Sequence, residues 1–450
     1  MKRIYASIAL LVAVAAGMLS SCSSRSEHHL LDAIPSDATA VAFVNLDRAS
    51  HDGVVISELG GFAGIASTGT VAAVTLADGT TLTLTDAPAP DSLAAHGYQA
   101  AGEPQGELTT YTDADGMTAV VNAKSDIAYF MPCSATRALE RVATIAEAAS
   151  KLSFASNKGL ADVFEQKSRE AVVYGALSRN LIAVNSRSSA PVNPQNAEWI
   201  AFAVKQESGV ADIAAQLVEG SGEPVGIKGL RTIDTDFLRY VPEGMNMVAA
   251  AGLTPEIDWD AAAALVSLVA DRSTAGYIAL ATPYLKGIDG TVAVAASIDP
   301  KAPSMADARI FAMAHMDRSK IADLQKQASI LARMAGAQVD DISESMTAIT
   351  LPADAGMPSK LYIGEVDGYL AIATYPLDGK AENSFAPIVT GHEAAAAVNF
   401  PEGAFEAERP DATYGIDIKF TLDGSEAHTR ISFPGSDKSP LAILSAFWRH

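Results

Sequence analysis

Three short sequence patterns occur twice in this chain, in the same order, and this internal repeat constrains the fold more than any other feature. The first is a proline followed by a small, apolar strand, the second is a strand that ends near a proline, and the third is a glycine-bounded hairpin. The paired segments are 33–46 with 240–253, 125–132 with 366–376, and 204–220 with 420–435. Because internal similarity is weighed before any fold class is assigned, we expect two similar tandem units, at residues 31–232 and 236–450.

Within each unit, several segments predict hairpins. Residues 71–76 and 80–85 are rich in β-branched residues and flank an Asp-Gly pair. Asp-Gly supplies the positive φ angles of a tight turn, so this pattern predicts two antiparallel strands. The same dipeptide recurs at 115–116, 289–290, 367–368 and 423–424. Short turns of this kind indicate antiparallel sheet, since parallel strands need long crossover connections.

Two segments predict helices among these strands. Residues 135–151 and 317–334 carry apolar side chains at helical spacing. Helices interleaved with hairpins are typical of the α+β class. We therefore expect an α+β fold in which each unit is a mostly antiparallel sheet packed with helices.

The first 22 residues are typical of a lipoprotein signal. Two basic residues precede an apolar run over residues 8–19, which is shorter than the about 20 residues of a spanning helix. The run ends in Leu-Ser-Ser-Cys, whose small serines let a peptidase reach the bond between Ser21 and Cys22. We therefore expect a signal peptide over residues 1–21, cleavage at that bond, and a lipid on Cys22 that holds the protein on a membrane.

The polar residues 22–30 predict a short tether, and two alternatives for its location follow. We expect attachment to the outer membrane with the protein on the periplasmic face. Exposure at the cell surface is the alternative.

Charge and composition restrict the class of partner. Loss of Lys2 and Arg3 with the signal takes the formal net charge from −21 to −23. A chain of this charge repels nucleic acid and anionic headgroups, so no nucleic-acid partner is expected. Hydrophobic residues make up 49% of the chain and charged residues 19%, which indicates a folded globular protein.

Cysteine usage excludes one source of stability. Cys133 is the only cysteine besides Cys22. With Cys22 lipidated, no intrachain disulfide can form, even in an oxidising compartment. Cys133 follows an apolar run, and we expect a buried, unreactive thiol.

The lipobox, the Ile-Pro-x-Asp-Ala-x-x-Val pattern over residues 34–41 and the strand over 367–373 resemble lipoproteins of Bacteroidota and related bacteria. No activity is assigned to that family, so the resemblance implies an envelope location and no catalytic residue. The second repeat departs from the pattern at 242–244, which lacks the Asp-Ala pair. The tether is not strongly acidic, and so it does not resemble the acidic surface-export signal of these lipoproteins.

No motif in the sequence predicts a catalytic, metal or cofactor site. The eight histidines lack metal-ligand spacing: His392-Glu393 has no second histidine four positions after the first, and His28-His29 belong to the tether. A Gly-x-Ser-x-Gly elbow is absent. The glycines over residues 60–69 lack the Lys-Ser/Thr of a phosphate loop.

Acidic residues do not change that conclusion. Asp113 and Asp115 resemble the start of a calcium loop, but the twelfth position is Lys124 rather than glutamate, so a hairpin turn is expected. Acidic pairs at 340–341 and 406/408 are expected on solvated surfaces, because 53 acidic residues form such pairs by chance.

One modification signal is present. Asp91-Ser92-Leu93 is similar to the short O-glycosylation sequon of Bacteroidota and lies in a proline-containing segment that we expect to be a loop. Ser92 is therefore the candidate O-glycosylation site.

The sequence favours a non-catalytic, lipid-anchored cell-envelope protein that acts as a binding or scaffolding module for an envelope protein or glycan. Two alternatives remain open. An envelope enzyme with dispersed catalytic residues requires a pocket with clustered histidines and carboxylates. A surface glycan-binding lipoprotein requires exposed aromatic side chains, whereas the three tryptophans are scattered at 199, 259 and 448.

Overall fold

The computed structural model describes residues 28–51, 69–168, 171–178, 197–257, 259, 286–302, 306–351, 358–406, 413–441 and 443. These residues divide into two compact units. Unit 1 contains the described residues up to Val225 and from Lys438 onward, and unit 2 contains those from Gly226 to Asp437. The predicted signal peptide and the bond between Ser21 and Cys22 lie outside the described residues.

Unit 1 is a sheet of ten strands with helices at its connections. The strands are β1 Ala40–Asn45, β2 Thr70–Thr75, β3 Thr81–Asp86, β4 Gln99–Ala100, β5 Leu108–Thr112, β6 Thr118–Asn122, β7 Ile127–Met131, β8 Val173–Ser178, β9 Trp199–Glu207 and β10 Val210–Val218. The helices are α1 His28–Asp32, α2 Leu46–His51, α3 Pro90–Ala95, α4 Ala135–Lys151 and α5 Lys158–Ser168, with a 3-10 turn at Phe154–Ser156. The strand order is β4-β5-β6-β7-β3-β2-β1-β8-β9-β10, antiparallel throughout.

Unit 2 is built in the same manner. Its strands are β11 Leu230–Arg231, β12 Met247–Leu253, β13 Ile288–Ser297, β14 Arg309–Met316, β15 Gln338–Ser343, β16 Met346–Thr350, β17 Lys360–Val366, β18 Tyr369–Ala373, β19 Ala394–Glu406, β20 Thr413–Asp423 and β21 Glu426–Ser432. Its described helices are α6 Arg318–Met334 and α7 Ala386–Val389, with a 3-10 helix at Thr235–Tyr240. The order is β15-β16-β17-β18-β14-β13-β12-β19-β20-β21, again antiparallel, and β11 adds to one end of β12.

The two units therefore share one strand order. Strand β12 takes the central place of β1, and each later strand of unit 2 takes the place of its counterpart in unit 1, up to β21 for β10. The three sequence patterns that occur twice fall on matching elements: β1 and β12, β7 and β18, and the last hairpin of each unit.

The expectation of an α+β fold is wrong. The protein is mostly antiparallel sheet: the described residues form 21 strands, and 43% of them lie in strands against 22% in helices. The error lies in the weight given to the two predicted helices, because alanine-rich segments such as 247–253 and 394–400 lie in strands. Ala250 of β12, for example, pairs with Ala395 of β19, and both are buried. Burial between neighbouring strands overrides the weak strand propensity of alanine.

Each unit has its own apolar core. In unit 1, α4 packs on the sheet through Val142, Ile145 and Ala149. The predicted helix over 135–151 is confirmed, with the same bounds. In unit 2, a core that includes Phe311 and Phe237 fills one side of the sheet, and α6 packs on β16, β17 and β18. The predicted helix over 317–334 is confirmed, beginning at Arg318 after the N-cap Asp317.

Candidate functional site

A pocket of about 310 Å³ lies in unit 2 at one end of the sheet. It forms where β13 begins and β14 ends, because antiparallel pairing places Ile288 opposite Met316. Helix α6 starts directly after β14 and contributes its first turn. The lining residues are Pro255, Lys286, Gly287, Ile288, Asp289, His315, Met316, Asp317 and Lys320.

A β-bulge shapes this end of β13. The register shifts between Ile288 and Val292 against β14, while β13 stays in regular register with β12. Gly290 has a φ of 147°, and a Cβ atom there would lie 2.5 Å from the Cβ of His315. Bulges of this kind redirect side chains at sheet ends and are over-represented beside functional sites.

His315 is held in place by two contacts at the pocket rim. Its Nδ1 atom forms a hydrogen bond with the backbone carbonyl oxygen of Asp289. Its ring packs edge-on against the ring of Tyr369, with 5.2 Å between the centroids. These contacts fix the ring orientation and leave Nε2 as the nitrogen available to a ligand.

Tyr369 connects this rim to the start of unit 2. Its hydroxyl donates a hydrogen bond to Asp234 Oδ2 at 3.0 Å, and the Asp234 backbone N–H donates to Thr291 Oγ1 at 2.7 Å. Burial and then the hydrogen bond to Asp234 raise the pKa of Tyr369 to about 12. Tyr369 is therefore neutral at physiological pH and acts as a hydrogen-bond donor.

The pocket carries charges of both signs. Lys320 Nζ lies 3.8 Å from Asp317 Oδ2, and Arg231 Nη1 lies 3.4 Å from Asp289 Oδ1. Serine, threonine and cysteine are absent from the nine lining residues. The arrangement can hold a small polar ligand through its lysine, histidine and aspartate side chains.

The polar residues at the rim are a feature of unit 2 and are not required by the shared strand order. His315 pairs with Tyr369 at the end of the β14–β18 ladder. The matching pair at the end of the β3–β7 ladder in unit 1 is Asp86 with Ile127. Since unit 1 forms the same ladder with neither histidine nor tyrosine at this end, folding alone does not account for this pair.

The structure places Ser92 in a helix and not in the predicted loop. Ser92 lies half-buried in α3, and its backbone N–H donates to the carbonyl oxygen of Ala89. Leu93, the apolar residue of the sequon, is buried in a core with Tyr98 and Phe130. The segment 90–95 forms a helix because Pro90 suits its first position. O-glycosylation of Ser92 stays a prediction.

Cys133 lies just after a strand, and Asp113 lies in a hairpin turn. Cys133 is half-buried behind β7, and burial raises the pKa of its thiol more than Arg137 and Arg141 lower it. Asp113 Oδ1 accepts hydrogen bonds from the backbone N–H groups of Asp115 and Met117, as in a hairpin turn.

Other residues considered in the sequence are dispersed. His392 Nδ1 pairs with Asp423 Oδ2 at 2.8 Å, and Trp199 is buried in β9. His28–Leu30, assigned to the tether from sequence, belong to α1. Asp340 and Asp341 are exposed on β15. Glu408 and Trp448 lie outside the described residues.

Two findings apply only to the described part of the chain. No group of three His, Cys, Asp or Glu side chains there is arranged to hold a metal ion. None of the helices there combines the length and the apolar character that crossing a bilayer requires.

Sequence reasoning missed the pocket residues because they come from distant segments. His315 and Tyr369 are brought together by strand pairing, as are Asp289 and His315. The only local signal was the Asp-Gly pair at 289–290. It suggested a turn, whereas the structure shows a bulge within β13.

Comparison with known proteins gives little guidance. No protein-family model and no curated protein matches the chain. Two solved structures, crystal forms I and IV of TP0453, each align with 41% of this chain at a TM-score of 0.26. They are 10% and 9% identical to it, over 77% and 79% of their own chains. Similarity of this extent does not establish a shared fold.

Proposed function

We propose that the protein is a non-catalytic, lipid-anchored protein of the cell envelope that binds a partner or a small polar ligand. The observation that carries the proposal is the Leu-Ser-Ser-Cys lipobox, which ends at Cys22, only a few residues before α1 begins at His28. A lipid at Cys22 would hold unit 1 close to a membrane surface through a short tether. The proposed location is the periplasmic face of the outer membrane.

The pocket of unit 2 supports binding of a small polar ligand. Its volume is at the lower end of the range of about 300–1,000 Å³ for small-ligand sites. Lysine, histidine and aspartate side chains converge on it. A small ligand with polar or charged groups matches this lining.

We also propose that the two units arose by internal duplication. The support is the shared order of ten strands together with the three repeated sequence patterns on matching elements. In this view, the two units diverged at the pocket after duplication, because the His315–Tyr369 pair of unit 2 has no counterpart in unit 1.

The lipid anchor is tested by Cys22→Ala in the full-length protein, with Cys133→Ala as the matched control. We expect wild type and Cys133→Ala to incorporate labelled fatty acid and to sediment with membranes. Cys22→Ala should lose the label and retain the signal peptide, which shows in its larger mass, because the peptidase acts on the lipidated cysteine. Equal labelling of all three proteins, or of none, would refute the anchor.

A further inference from the structure

Helix α6 exposes apolar side chains at its C-terminal end. The exposed fractions are 48% for Ile330, 65% for Leu331 and 79% for Met334. The opposite side of the helix faces the sheet, where Ala328 and Ala332 pack in a cluster with buried residues of β16 and β17. Ile330 and Met334 are one helical turn apart, so they project together away from the sheet.

The same helix is basic in an acidic protein. It contains four basic residues and one acidic residue, whereas the whole chain has a formal net charge of −21. Arg318 pairs with Glu365 at 2.6 Å, and Lys320 lies 3.8 Å from Asp317. Lys326 and Arg333 have no ion-pair partner among the described residues, and both are within about a turn of Ile330.

The exposed surface is not required by the strand order. In unit 1 the helix that follows the third strand is α3, with six residues, and its Leu93 is buried. In unit 2 the helix at that place is α6, with 17 residues, and Ile321 is its one fully buried residue. The extra turns therefore add an apolar and basic surface, the docking surface, formed by Lys326, Ile330, Leu331, Arg333 and Met334.

We propose that this docking surface binds an anionic lipid bilayer. Exposed apolar side chains on a helix enter the region between headgroups and acyl chains, and flanking Lys and Arg lie on anionic headgroups. Leu331 and Met334 would insert, and Lys326 and Arg333 would contact the headgroups. The chain as a whole is acidic, and Asp340 and Asp341 are exposed on β15, which contacts α6. Contact with anionic headgroups would therefore be made through Lys326 and Arg333.

A second copy of the chain fits this surface less well. A symmetric dimer would place the same basic surface against itself. Three exposed side chains also supply far less than the about 800 Å² that each partner buries in a stable interface. An anionic lipid surface satisfies both the charge and the small apolar area.

The test is co-sedimentation of the chain from Ser23 to His450, which keeps every described residue and lacks Cys22. Because this protein cannot carry a lipid at Cys22, any binding to vesicles does not come from the anchor. The test of the docking surface and the test of the lipid anchor can therefore fail independently. The probes are vesicles of phosphatidylcholine alone and vesicles that also contain phosphatidylglycerol. We expect the wild-type chain to bind the anionic vesicles, to bind the neutral ones much more weakly, and to lose binding as salt rises.

Two double variants identify the surface. Leu331→Gln with Met334→Gln should lower the partition coefficient by about tenfold or more, because the inserting side chains become polar. Lys326→Gln with Arg333→Gln should lower it by a similar factor and remove most of the salt dependence, at about 1 kcal/mol per basic residue, or roughly fivefold each. Glutamine keeps good helix propensity, so both variants should fold, which circular dichroism checks.

The matched control is Leu152→Gln with Ile342→Gln, two apolar residues outside the surface with exposed fractions of 57% and 56%. It should bind as the wild type does. The proposal is overturned if wild type binds neither vesicle, or if the Leu331/Met334 variant binds anionic vesicles as well as wild type. A dimer in light scattering that this variant abolishes, without vesicle binding, would assign the surface to a second copy.

Discussion

Gly290 is the residue on which the shape of the pocket depends. Its φ of 147° is reached easily only by glycine, and its backbone lies against the Cβ of His315. We expect Gly290→Ala to lower the free energy of unfolding by about 2–4 kcal/mol, because the new methyl group clashes with a side-chain atom that cannot rotate away. Urea denaturation monitored by circular dichroism measures the change.

The control for that substitution is Gly336→Ala. Gly336 also has a positive φ, of 83°, but a Cβ atom there meets nothing within 4 Å. Its replacement should cost only the backbone strain, about 1 kcal/mol. Equal costs at the two glycines would show that the close approach to His315 does not constrain β13.

We predict that the free energy of unfolding depends on pH through Tyr369, at the same site. Its pKa is raised from 10 to about 12, so the folded state holds the phenolic proton more tightly than the unfolded state does. The resulting stability is fully present below pH 10 and is lost as the pH rises toward 12. Tyr369→Phe removes this contribution. The difference in unfolding free energy between wild type and Tyr369→Phe should therefore narrow steadily as the pH rises from 10 toward 12.

A buried substitution without a titratable group serves as the control for this measurement. Ile363→Val, in β17 of the same unit, should lower stability by about 1 kcal/mol at every pH. If the difference for Tyr369→Phe also stays constant from pH 9 to 12, Tyr369 does not contribute through its proton.

At the scale of single elements, local sequence signals predict a structure wherever neighbours along the chain decide it. The Asp-Gly pair at 78–79 makes the turn between β2 and β3 as expected, because both flanking strands belong to one hairpin. The same dipeptide at 289–290 lies inside β13. There β12 and β14, which pair with it from both sides, decide the backbone, and no local pattern contains that information.

For the helices, local sequence predicts where they form, whereas their exposure depends on distant parts of the chain. The sequence predicts both α4 and α6, since apolar residues at helical spacing identify the face that packs on a sheet. It does not predict how much of α6 stays exposed, because that depends on how many strands lie beneath the helix. The basic residues at 318, 320, 326 and 333 also escape notice in sequence, since they are spread over several turns.

At the scale of the whole molecule, the repeated sequence patterns predict two similar units, but the sequence does not predict the pocket, which depends on long-range strand pairing. The three repeated patterns indicate two similar units, and they lie on matching strands. The α+β class was wrong because alanine-rich segments such as 394–397 have no local pattern that predicts a strand, and they join the sheet through pairing with distant strands. The pocket escaped prediction because Asp289, His315 and Tyr369 converge only once the strand order is known.

Because the two units have separate cores, we predict that a mutation in one core changes hydrogen exchange in that unit only. The main core of unit 1 includes Ile145 of α4, and the main core of unit 2 includes Phe311 of β14. Ile145→Ala should cost about 2–4 kcal/mol by leaving a cavity, and Gly290→Ala should strain unit 2. Because cooperative units open independently when each has its own core, we expect Ile145→Ala to accelerate hydrogen exchange in β1 and β2 and to leave β12 and β13 unchanged. Gly290→Ala should do the reverse. If either variant accelerates exchange equally in both sets of strands, the two units unfold as one, and the cores do not act separately.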